Sequence, residues 1–285
     1  MGIRSFFHKI KMGFVRMNET SLPYVSSTKR YGNYGEDEFV SSLRYYLPDC
    51  KIKRNVIINT NEGNAEIDCL ILFQNKIFAV EVKRWKGQLI ETEQGFVQEK
   101  TDRWTGEIHS KYQKSPFKQL NRAIYLLRKQ IPSRVWINGI VFFEDDDFEG
   151  ISTVTDNVWF DELKQLADYI KSEGESSIPT NAVHFFEKCV AADYLYSKSW
   201  DKSLHCLIDN SSLNFETPNG SITRNNIKYI EINHHWSYDD LTICLVNGSN
   251  CTFRQENAKI KVYENGEAQE YGLCKLDYIV IGKER

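Results

Sequence analysis

Two apolar runs joined by only two residues constrain this chain more than anything else in it. Ala65–Phe73 and Lys76–Lys83 are rich in Ile, Val, Leu and Phe, and Gln74 and Asn75 alone separate them. A two-residue connection between such runs predicts an antiparallel hairpin. Phe73 then faces Lys76, and counting back along both strands sets Asp68 opposite Glu81 and Glu66 opposite Lys83. Directly opposed residues have Cβ atoms about 4.5–5.5 Å apart. Alternation puts Ile77, Ala79, Glu81 and Lys83 on one face of the second strand, and Phe78, Val80 and Val82 on the other. Two carboxylates that close repel unless a cation or proton is shared between them. A hard divalent ion with oxygen ligands, such as Mg²⁺, suits the spacing. The same hairpin is compatible with a solvated surface on which Glu66 pairs with Lys83, and exposed pairs of that kind contribute little.

The elements around the hairpin follow from periodicity. Ile3, Phe6, Phe7, Ile10 and Phe14 share one helical face in residues 1–17, with Arg4, Lys9, Lys11 and Arg16 as the basic residues. That segment reads either as a helix docked on the protein or as a weak contact with an anionic membrane. Residues 18–30 read as a linker, so 1–30 form an amphipathic N-terminal segment and linker. Gly32 and Gly35 bracket a turn, and a helix runs from Glu36 to Leu47 with Phe39, Leu43 and Leu47 buried. Lys51–Ile58 is a strand. Residues 84–115 read as hairpins or an irregular excursion. Pro116–Gln130 is a helix with Pro in its first turn, and Val135–Phe143 is a strand. Asp161 caps a helix to about Ile170, and a second helix covers 181–197. From 201 onward, short β-like runs at Leu204–Ile208, Lys228–Ile232, Leu241–Val246, Cys251–Arg254, Lys259–Tyr263 and Asp277–Ile281 predict a small β domain.

Four short motifs stand in order along the first part of the chain. They are Tyr31-Gly-Asn-Tyr-Gly-Glu36 opening a helix, Ala65-Glu-Ile-Asp68, Ala79-Val-Glu81-Val-Lys83-Arg-Trp-Lys-Gly87, and Ser115-Pro116-Phe-Lys-Gln119. Together they resemble the nuclease-related domain, NERD, of the PD-(D/E)xK nuclease superfamily, over about residues 31–143. The resemblance implies an α/β fold with a restriction-endonuclease-like mixed sheet flanked by helices. That domain spans 31–160, with a helical connector at 161–200 and the small all-β domain at 201–285. It also implies a metal-dependent nuclease, for which DNA is the favoured substrate and RNA the alternative. Asp68, Glu81 and Glu36 would hold Mg²⁺, with Mn²⁺ as the alternative. Lys83 would orient the attacking water and stabilise phosphate charge, and Gln119 would support the site. Asp37 and Glu38 also stand at the first helix, and Glu36 fits the family pattern because it follows Gly35. Related nucleases often carry Tyr four residues after such a Gln, where this chain has Ala123. The other reading is an inactive nucleic-acid-binding or protein-interaction module on the same fold.

A basic stretch offers a substrate path. Between Ile108 and Arg134 there is no Asp or Glu, while Lys111, Lys114, Lys118, Arg122 and Lys129 supply cations. Trp104 and Tyr112 are near in sequence and suited to stacking on bases. The net charge of −3 gives no global basic field, so any nucleic-acid contact must come from such local patches. Seven cysteines, an odd number without a CxxC pair, point to reduced thiols in a cytoplasmic protein. No apolar run approaches the roughly 20 residues of a membrane span. The β domain is the expected site for any protein partner.

Overall fold

The computed structural model describes residues 11, 15–23, 27–152, 157–175, 181–197, 202–218, 220–264 and 266–282. Contacts divide the chain into two compact units, one of residues 27–190 and one of residues 1–26 with 191–283. The residues expected to form the apolar face of an N-terminal helix, Ile3 to Phe14, lie outside those described.

The first unit opens with α1 (Ser27–Tyr46), which begins earlier than the Gly-bracketed turn predicts. Residues 31–35 are helical backbone there. Two glycines cost such a helix about 1 kcal/mol each. Phe39, Val40, Leu43 and Leu47, all buried beside the sheet, supply the packing that offsets this. The strands β1 (Lys51–Thr60), β2 (Gly63–Phe73) and β3 (Lys76–Lys83) follow as an antiparallel meander. The β2–β3 turn is the expected two-residue one, with Gln74 at φ 51°. Its register runs from Phe73–Lys76 to Cys69–Val80.

At Asn55 and Asp68 the meander changes face. Asn55 takes φ 47°, and the β1–β2 ladder skips that pair between Arg54–Cys69 and Val56–Ile67. Ile52, Cys69 and Ile71 therefore bury on one side of the sheet, while Val56, Ile58 and Ile67 bury on the other. The β2–β3 ladder also stops at Cys69–Val80, so the expected Glu66–Lys83 pairing does not form, and Glu66 is laddered only on its other side, to Ile57 of β1.

Residues 84–115, predicted as hairpins or irregular, form β4 (Gly87–Glu91), β5 (Gly95–Thr101) and β6 (Ile108–Lys114). Next come α2 (Pro116–Gln130), with the bounds predicted for it, and β7 (Ile137–Phe143), which runs parallel to β3. β8 (Phe148–Ser152) joins β4 in a four-stranded sheet ordered β6-β5-β4-β8. β9 (Trp159–Phe160) completes a mixed five-stranded sheet ordered β1-β2-β3-β7-β9. The helices α3 (Leu163–Glu175) and α4 (Ala182–Lys188) close the unit. α1 and α3 cover one face of the five-stranded sheet, and α2 and α4 cover the other. Lys53 Nζ caps the end of α4, donating to the carbonyls of Phe186 and Cys189 at 2.7 Å each.

The helix predicted across 181–197 is therefore only half present. The tail, β10 (Asp193–Ser197), is instead a central strand of the second unit. There β10, β11 (Lys202–Ile208), β14 (Ile227–His234), β15 (Asp239–Leu245), β16 (Asn250–Gln255), β17 (Lys259–Glu264), β18 (Glu267–Gly272) and β19 (Tyr278–Val280) form one antiparallel sheet. β12 (Phe215–Thr217) and β13 (Gly220–Ile222) make a separate hairpin. Leu22 packs into this unit's core with Leu195, Ile230 and Ile279. All seven cysteines are free thiols. Among the described residues no helix is long and apolar enough to cross a membrane.

Candidate active site

Glu81 is the centre of the arrangement. It sits near the end of β3, between β2 and β7, and is 0% exposed. Its Oε1 receives Lys83 Nζ at 2.5 Å and Gln119 Nε2 at 2.6 Å. Its Oε2 is buried with no hydrogen-bond partner. A buried carboxylate oxygen left unpaired is costly. Burial raises the Glu81 pKa; Lys83 opposes this, while the charges of Glu36 and Glu66 add to it. For Lys83, burial lowers the pKa, but attraction to Glu81, Asp68 and Glu36 overcomes it and holds the ammonium charged.

Asp68 stands where the β2–β3 ladder stops. Its Oδ2 accepts the backbone N–H of Val82 at 2.8 Å. The side chain thus takes the place of the next ladder bond, and the regular pairing ends at Cys69–Val80, short of Glu81. Burial, then the charges of Glu81 and Glu36, holds the Asp68 carboxyl well above the usual carboxylate range. Glu36 approaches from α1. Asn55 Nδ2 donates to its Oε2 at 2.9 Å, and Arg54 Nη2 lies 4.0 Å from the same oxygen. The structure therefore brings Glu36, Asp68, Glu81, Lys83 and Gln119 into one electrostatic neighbourhood.

Sequence reasoning missed the residues that hold this set. Asn55 is a polar residue inside an apolar strand run, and that misfit was its signal. Arg84 lies between Glu38, at 3.8 Å, and Glu144, at 3.8 Å, next to Lys83. Glu144 N donates to the Lys83 carbonyl at 2.9 Å. Nothing in residue spacing links Glu38 to Glu144.

The donor set bears on a divalent cation. Among the described residues no three His, Cys, Asp or Glu side chains cluster closely enough to hold a metal ion. Two carboxylates and an unpaired buried oxygen nevertheless fit Mg²⁺, which is commonly held by one or two carboxylates while waters and substrate phosphates fill the rest.

The expected basic path is partly occupied by the protein itself. Lys118 Nζ donates to the Glu93 carbonyl at 2.7 Å, and Arg122 Nη2 to the Glu62 carbonyl at 3.1 Å. Lys129 Nζ pairs with Glu62 Oε1 at 3.3 Å. Lys111 and Lys114 lie on the exposed β6. Trp104 is 97% exposed, and the Tyr112 hydroxyl donates to the Gln94 carbonyl at 2.9 Å.

No curated protein and no solved structure matches the chain. Residues 31–144, which carry Glu36, Asp68, Glu81, Lys83 and Gln119, match the nuclease-related domain, NERD. Over these residues the chain is similar to that family, whose general character is that of a PD-(D/E)xK nuclease.

Proposed function

We propose that the protein is a metal-dependent nuclease that hydrolyses phosphodiester bonds, in DNA in preference to RNA. The observation that carries the proposal is Glu81, fully buried, with one oxygen ordered by Lys83 and Gln119 and the other unpaired. Asp68 and Glu81, with Glu36 beside them, would hold Mg²⁺ or Mn²⁺; such an ion supplies water activation and neutralises phosphate charge. Lys83 places a fixed positive charge where the phosphate gains negative charge in the transition state. Gln119 fixes the Glu81 carboxylate from α2. Asn55 fixes Glu36 from the irregular point of β1.

The test is a cleavage panel of linear, circular and single-stranded DNA and of RNA, with and without Mg²⁺ or Mn²⁺. Cleavage is expected only with the ion, and Glu81→Ala should abolish it. Lys83→Met should lower kcat by about 10²–10³-fold, the range for loss of one transition-state donor. Binding without cleavage in either ion overturns the proposal and leaves a nucleic-acid-binding module.

A further inference from the structure

One cation on α2 is not tied to the protein. Arg128 forms no hydrogen bond or ion pair among the described residues, and its Nε is buried without a partner. Its guanidinium lies over the Trp136 ring, 5.3 Å from the centroid. Trp136 is 70% exposed and Tyr125 is 47% exposed. Both rings line a 370 Å³ cavity with Arg128, Asn121, Asn138 and Tyr169. Trp136 Nε1 donates to Asn138 Oδ1 at 2.9 Å, which fixes the indole plane. Exposed rings beside an unpaired guanidinium are the elements that hold a single strand: a base stacks on a ring, and the cation takes a phosphate.

The cavity also lies at a usable distance from Glu81. Gln119, bonded to Glu81, and Arg128 are nine residues apart on one helix, about 13 Å along its axis. On the strand side, Glu81 is level with Val141, and Trp136 precedes Val141 by five residues, about 16 Å of extended chain. The two measures are similar, and either is a span that a few nucleotides of single strand can bridge.

We propose that the Trp136–Tyr125–Arg128 cavity is a docking site for a nucleotide of a single-stranded segment, a few nucleotides from the bond held at Glu81. The site rests on the nuclease reading for its purpose, but its occupancy is measured independently of cleavage. Oligothymidylates of increasing length are titrated by fluorescence anisotropy in EDTA, and the same oligomers are tested for cleavage in Mg²⁺. Wild type is expected to gain affinity once the oligomer is long enough to span both places. Trp136→Ala should lose that gain by about five- to a hundredfold, the range for one stacked base. Short oligomers should bind both proteins alike. Trp136→Phe should keep most of the gain, and Arg128→Ala should lose it together with part of the salt dependence.

If Trp136→Ala and Arg128→Ala bind long oligomers like wild type, the docking site is wrong even when wild type cleaves. If wild type cleaves nothing but the length-dependent gain disappears in the variants, the docking site stands and the nuclease reading falls. A gain that is equal on blunt duplex overturns base stacking. Competition by thymidine monophosphate as effective as by the long oligomer, or by an acidic peptide in place of either, overturns the strand as occupant.

Discussion

At the residue scale, the site keeps buried charge that the fold without metal would do better without. Asp68 is held above its ordinary pKa by burial and by the charges of Glu81 and Glu36. A carboxyl raised in the folded state contributes stability that is present at low pH and lost as pH rises through its folded value. Asp68→Asn keeps an acceptor for Val82 N–H and removes that loss. In EDTA the variant should melt above wild type at neutral and alkaline pH, by about 2–4 °C for each kcal/mol recovered. The gap should close in acid, and nuclease activity should disappear. A lower Tm than wild type at alkaline pH would refute the argument. Glu144 gives a second case with a defined window. Burial, against the pull of Arg84 and with Glu38, Asp145 and Glu36 adding repulsion, pushes it up from 4.5 to about 7. Wild type should therefore lose stability relative to Glu144→Gln between those two values. Melts across pH should show curves that converge below the lower value and separate above the upper. Of this site, the nearness of Asp68, Glu81 and Lys83 was legible because a two-residue turn brings these strand ends together, although the ladder stops at Cys69–Val80, one pair short of the expected Asp68–Glu81 facing pair. Asn55, Arg84 and Glu144 were not, because they meet across strands and helices that no local spacing connects.

At the element scale, α2 does two things at once. Ser115 caps it, its Oγ accepting Lys118 N–H at 3.3 Å, and Pro116 occupies the first turn. That start seats Gln119 against Glu81, and the last turns carry Arg128. Ser115→Ala should cost about 1 kcal/mol of stability. Because the first turn holds Gln119, kcat should fall as well, while the affinity of long oligomers in EDTA is retained. Ser115→Thr should restore both Tm and kcat, and a kcat unchanged in Ser115→Ala would detach Gln119 from the chemistry. This helix was readable to its bounds because cap, proline and apolar stripe all agree. Others were not. Residues 181–197 carry enough apolar side chains to continue a helix, yet Asp193–Ser197 pairs with β11 and β19. Long-range pairing overrides local pattern there. β18, Glu267–Gly272, has too few β-branched or aromatic residues to announce a strand; its partner β17 dictates it.

At the scale of the whole molecule, the chain folds its second unit from both ends. The described residues 15–23 belong to the unit of 191–283, and the nuclease-related domain is interposed in sequence. The segment expected to serve a membrane or a docking helix is pinned in its described part. Arg16 is 8% exposed, and its Nη2 pairs with Asp239, itself buried. Glu19 pairs with Lys259 at 3.2 Å, and His234 Nδ1 shares Asp239 Oδ1 at 2.8 Å. Removing one partner of a buried pair leaves the other uncompensated, at about 3–5 kcal/mol. Arg16→Ala in the full chain should therefore speed amide exchange in β14 and β15 and leave β1–β3 unaffected. Replacing both partners, Arg16→Met with Asp239→Leu, removes the stranded charge and should recover most of the protection. That recovery separates loss of a strap from general damage to the sheet. Unaltered exchange in Arg16→Ala would show that residues 15–23 do not hold this unit together, and would return the N-terminal segment to the roles open to a free helix.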